Sequence, residues 1–328
     1  MAGGGGDPKK VVMAALLANG GIAIAKFVAA WLSGSVAMVA EGVHSVADTS
    51  NQALLLVGMG LAAKRDPVRF PMGRAAEQYF WAFIVSLMLF FLGGVYALYE
   101  GIHKLLEADS QPGSLTAPVI VLVISIALEG KSFLVAMKEF NHQRAGRPLA
   151  EALFGGRDPI IPVVLLEDFA AIVGLIIALI AVAASWLTGS TMADGIGSMV
   201  IGLLLCSVGI VLAYKTHGLI IGAGITPRDR ELALEITRKT RGVEAVTQLL
   251  SLHLGPDSAI LALKVKFPRG SSLEEVEAIT DAVEERIRAK LPHMKRIFIE
   301  PDSDYDATKD PDLAPLNKGE PSGEAAES

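Results

Sequence analysis

The sequence predicts two unlike parts: an all-α bundle of six membrane-crossing helices, then a small α+β domain. Three observations carry this. The 328 residues are 52% hydrophobic with a mean hydropathy of +0.46, too apolar for an ordinary soluble domain. The apolar residues gather in six runs, each of about 20 residues or more, as a hydrocarbon core of about 30 Å requires. After residue 225 the runs stop, and charged helical patterns alternate with strand patterns.

In chain order, the spans are read at 11–33, 36–62, 78–104, 115–138, 159–187 and 192–214. Residues 1–10 are Gly-rich, without the Arg/Ser character of an organelle presequence, and lead directly into the first span. Lys64, Arg65, Arg69 and Arg74 follow span two, and Lys138, Arg144, Arg147 and Arg157 lie between spans four and five. The alternate loops carry Glu107 and Asp109, or no charge between Thr188 and Thr191. Basic loops stay in the cytoplasm, so both termini are expected there. A plasma membrane or bacterial inner membrane is the expected location. The only cysteine, Cys206, falls inside span six and reads as a small buried residue, which leaves no disulfide framework or zinc-finger spacing.

The soluble end begins at Thr226-Pro227-Arg228-Asp229, an N-cap, a first-turn proline and an acidic first turn. A helix to about Arg241 is expected, stopped by Gly242. Val246 to Leu254 and Ala259 to Phe267 read as strands joined by Gly255-Pro256-Asp257-Ser258. Leu261, Leu263, Val265 and Phe267 share one face, with Lys264 and Lys266 on the other. Ser272 and Glu275 form a capping box for a helix to about Leu291, and Arg296 to Glu300 is the last strand. The order α-β-β-α-β is a compact layer, small enough that dimerisation would stabilise it. The division is therefore 1–10 as a cytoplasmic N-terminus, 11–224 as the membrane domain, 225–302 as the α+β domain, and 303–328 as an acidic, disordered tail.

Function is carried by ionisable residues inside the apolar runs. Glu41, His44 and Asp48 lie in span two at helical spacing. His44 and Asp48 are about 40° apart around the axis, so they share a face, and Glu41 is within about 60° of both. Span five carries Glu167 and Asp168. Counted from the membrane edges, His44 and Asp168 both lie about 15 Å deep, near the midplane. Such groups are costly in lipid and face a partner or a cavity. An imidazole with carboxylates suits borderline divalent ions such as Zn²⁺, Mn²⁺, Fe²⁺ or Co²⁺. Binding needs unprotonated ligands, so metal and protons compete for the same groups. No nucleotide loop, nucleophile elbow or nucleic-acid surface is present, which argues against an enzyme or a nucleic-acid partner.

The stretch Gly34 to Met38 followed by Ala40-Glu41-Gly42-Val43-His44-Ser45-Val46-Ala47-Asp48 resembles the second transmembrane helix of the cation diffusion facilitator family. Asp66-Pro67, Phe70-Pro71, Gly73 and Glu77 are similar to the loop that follows it. Asp158-Pro159, Val163 to Asp168 and Gly174, with Asp48 to Leu54, resemble the branch containing the eukaryotic zinc transporter 9. The resemblance implies a homodimer with a ferredoxin-like soluble domain, exporting metal in exchange for protons, with zinc as first cargo. It also implies a site of two residues four apart on helix two and two more on helix five. His44 and Asp48 match the first pair and Asp168 the later member of the second. The position four before Asp168 is Val164, which cannot ligate. The fourth ligand is then Glu167, Glu41, Glu129, water or nothing.

Other polar residues have blander readings. Glu129 and Lys131 in span four and Lys26 in span one suit interhelical ion pairs, and Asn51 a helix-bridging hydrogen bond, with ligand support as the alternative for Glu129 and Asn51. Asp194 reads as a helix cap. His253 and Glu300, with Asp302, resemble the region where some relatives bind regulatory metal, although His253 has no local histidine partner in the sequence. The rival to transport is a membrane-held metal-binding or scaffold protein; a channel is disfavoured because pores use repeated rings of ligands.

Overall fold

The computed structural model describes residues 8–33, 36–106, 116–144 and 146–302, with side chains except at 32–33, 36–41, 43–44 and 116–117. Residues 303–328, expected to be a disordered tail, lie outside the described residues. The chain divides into two compact units after Ile221.

The first unit is helical: α1 (Pro8–Ser33), α2 (Val36–Ala62), α3 (Glu77–Met88), a π-helical segment (Leu89–Val95), α4 (Tyr96–Leu106), α5 (Thr116–Arg144), α6 (Leu149–Gly155), α7 (Ile160–Thr188) and α8 (Met192–Ile220). α3, the π-helical segment and α4 run on without a break as one span. Five helices among the described residues are long and apolar enough to cross a membrane. α2 has comparable length, 27 residues, but carries Glu41 and Asp48. α5 and α8 run past the predicted ends at 138 and 214, because a helix does not stop where its hydropathy does. The short α6 was not expected; it buries Ala152 and Leu153.

Leu55, Val85, Leu89, Ile160, Ile161, Val164 and Leu212 belong to one buried apolar cluster. Along one seam the helices touch through backbone. A Cβ on Gly202 of α8 would stand 2.7 Å from the Leu98 amide nitrogen and 2.9 Å from the Gly94 carbonyl. One on Gly94 would stand 2.7 Å from the Cys206 amide nitrogen. Only glycine permits this approach, and in lipid such contact replaces the hydrophobic drive.

The second unit is α9 (Pro227–Arg238), β1 (Ala245–Gly255), β2 (Ser258–Lys266), α10 (Leu273–Lys290) and β3 (Met294–Pro301). The sheet order is β1-β2-β3, with β1 antiparallel and β3 parallel to β2. Thr226 Oγ1 caps α9 by accepting from Asp229 N at 3.2 Å, and Ser272 with Glu275 completes the capping box of α10. α9 ends three residues before the predicted Arg241: Thr240 N bonds to Thr237 O, and the turn closes on Gly242 at φ 92°. Leu261, Leu263 and Val265 are buried as the alternation requires, against Val283 and Ile287 of α10.

Candidate metal site

α2 climbs through Ser45, Asp48, Asn51 and Gln52 in successive turns, and α7 presents Glu167 and Asp168 side by side. Asp48, Glu167 and Asp168 line one cavity of about 120 Å³, together with Asn19 and Lys26 from α1, Ser45 from α2, and Ser125 and Glu129 from α5. Asp168 is 1% exposed, while Asp48 is half-buried. Apolar Leu89, Leu122 and Leu205 complete the wall. The placement follows from burial: Val164, one turn before Asp168, is packed in the apolar cluster, which turns the polar pair toward the other helices.

Asp168 is held from α5. Ser132 Oγ donates to its Oδ2 at 2.7 Å, and its Oδ1 has no hydrogen-bond partner among the described residues. Glu129 Oε2 is likewise buried without one. Asp168, Asp48 and Lys26 line the same cavity as Glu129. Buried carboxylate oxygens of this kind are competent to take a cation or a proton.

Glu167 stands differently. Asn51 Nδ2 donates to Oε1 at 2.8 Å and Gln52 Nε2 to Oε2 at 2.9 Å. Behind Gln52, Asn19 Nδ2 donates to its Oε1 at 3.3 Å. Asn51 is thus the helix-bridging group expected of it, and Gln52, Asn19 and Ser132 are partners that sequence reasoning did not single out. Glu41 and His44 lie on α2, but their side chains are outside the described residues. Among the described residues no three His, Cys, Asp or Glu side chains are grouped to hold a metal ion.

In the second unit His253 is buried, with Nδ1 at 3.2 Å from Gly255 O. It does have a histidine beside it: His293 stacks on it at 6.0 Å with an 8° tilt. The sequence hid this pairing because the two are 40 residues apart and meet only through the β2–β3 register. Glu300 does not join them. Ala259, opposite His253, pairs with Met294, whereas Glu300 pairs with Lys264, about 16 Å further along the strand. His293 Nε2 lies 3.4 Å from Asp229 Oδ2. That hydrogen bond holds the Asp229 carboxyl below its usual range, with Thr226 adding to it.

The model of the cation efflux transmembrane domain matches residues 12–220, and that of the cation efflux protein cytoplasmic domain matches 226–304. The chain belongs to the cation diffusion facilitator family. With its apolar helices, this makes it a multi-pass membrane protein of a transporter family. The chain is 31% identical to metal tolerance protein C4 of Arabidopsis thaliana over 261 residues, 79% of this chain and 57% of that protein. It is 32% identical to the human mitochondrial proton-coupled zinc antiporter SLC30A9 over 262 residues, 79% of this chain and 46% of that protein. This facilitator thus spans about half the length of those relatives. It is 23% identical to the magnetosome protein MamB of Magnetospira over 290 residues, 88% of this chain and 93% of MamB.

Proposed function

We propose that this facilitator exports a divalent transition metal from the cytoplasm in exchange for protons, with zinc as its first cargo and manganese, iron or cobalt as alternatives. The observation that supports this best is the meeting of Asp48 of α2 and Asp168 of α7 at one buried cavity. His44, one turn from Asp48, would supply the imidazole, and Glu41 or water the place that Val164 leaves empty. Carboxylates and imidazole bind metal only when unprotonated, so a proton arriving at Asp48, Asp168 or His44 would displace the ion, and the next ion would displace the proton. Rocking of the bundle about this fixed site would open it to each side in turn. The zinc antiporters among the relatives bear the same two activities in their names. The protein would work as a homodimer in a bacterial inner membrane, both termini cytoplasmic.

The test is flux into proteoliposomes loaded with a zinc-sensitive dye. Wild type should carry zinc inward when an opposing proton gradient is imposed, and Asp48→Ala should reduce uptake to the level of protein-free liposomes. Normal flux in a folded Asp48→Ala protein would falsify the site.

A further inference from the structure

Glu167 adjoins Asp168, so it invites reading as a fourth ligand, and its surroundings argue otherwise. Both of its oxygens receive amide hydrogens from neighbouring positions on α2, at 2.8 and 2.9 Å. Gln52 is in turn fixed by Asn19 of α1. All four side chains are buried, Gln52 completely. In contrast, Asp168 retains an oxygen without a hydrogen-bond partner among the described residues. Around an ideal helix Glu167 and Asp168 diverge by about 100°. One residue addresses the cavity through an open atom, while the other is spent on its neighbours.

From this we infer that Asn19, Asn51, Gln52 and Glu167 form a positioning clasp that fixes the register of α2 against α7, and that Glu167 holds the helices rather than the cargo. The inference rests on the transport-site reading above. Its geometry is specific. Asn51 and Gln52 follow Asp48 by one turn, and Glu167 precedes Asp168 by one residue, so whatever locks the first pair sets the separation of the second. Moving α2 on by a single residue, a rise of about 1.5 Å with a turn of about 100°, would carry both amides away from the carboxyl group. A buried carboxylate without its donors is costly, so the register is steeply defined. Interhelical amide contacts of this kind are modest in lipid when taken singly. Two on one carboxyl group, backed by a third, make one unit.

The test moves the acid across the clasp. Asn51→Asp alone sets two carboxylates face to face. Adding Glu167→Gln restores one acid facing one amide, with the acid now on α2. Zinc binding to the purified full chain is read by titration calorimetry, and flux by the proteoliposome assay. Asn51→Asp should weaken zinc binding about tenfold or more, and the double variant should recover to within about threefold of wild type, a coupling expected between contacting residues. Gln52→Glu with Glu167→Gln repeats the exchange at the other oxygen, should Asn51→Asp fail to fold. A double variant no better than its Asn51→Asp or Gln52→Glu parent overturns the clasp. If Glu167→Gln alone then costs as much as the double, Glu167 is a cargo ligand. A wild type that binds zinc yet moves none would sink the transport reading and leave the clasp testable by binding alone.

Discussion

At the scale of single residues, what separates the acids is which of their oxygens are already engaged. Ser132 engages one oxygen of Asp168 and leaves the other open. Ser132→Ala should therefore weaken zinc binding by about ten- to a hundredfold without loss of helix content, the measure of one hydrogen bond to a charged group; unchanged calorimetric affinity would show that Asp168 needs no such support. Asp229 gives a pH prediction of definite sign. Its ionised form is favoured by folding, so the stability that it lends is present above about pH 4 and is lost as pH falls through its lowered value. Asp229→Asn should flatten the acid limb of α9 unfolding, followed by hydrogen exchange on the full chain. The acids themselves were legible in the sequence, since a charge in an apolar run stands out. Their partners were not: Asn19, Gln52 and Ser132 are uncharged, and polar residues of that kind bridge helices in any membrane bundle.

Among the elements, α8 depends on closeness. Gly202→Val would drive a branched side chain into the Leu98 and Gly94 backbone, and overpacking of this kind costs about 1–3 kcal/mol or more. A lower midpoint in thermal unfolding of the solubilised protein is the expected result, whereas an unchanged midpoint would mean that the seam can spread freely. Helix limits were readable to within a few residues wherever caps mark them, as at Thr226 and Ser272. Two features left no trace in the sequence. The π-helical segment has no composition of its own, because it arises from one extra residue per turn accommodated by packing. The helix α6 lies in a basic loop whose charges mask its few apolar residues.

For the whole molecule, the division after Ile221 falls a few residues before the change in composition near residue 225, and the second unit has the α-β-β-α-β order that its local patterns predict. The long-range pairings were illegible: that β3 lies parallel to β2, and that the turn leading into it sets His293 beside His253, depends on a crossover no local pattern encodes. If protons drive the cycle, reversing the imposed pH gradient across the proteoliposomes should reverse or stall net zinc movement, and flux insensitive to that gradient would point to a uniporter.

The glycine seam bears on how such a molecule can move. Two rods welded backbone to backbone behave as a strut, with little freedom to shear. Cysteine pairs placed beside the Leu98–Gly202 contact, at positions that already carry a side chain, should therefore crosslink equally with and without zinc, while reactivity at the acid-bearing helices α2 and α7 changes. The stiff member would be the frame of the machine, and its cargo-holding helices the moving parts.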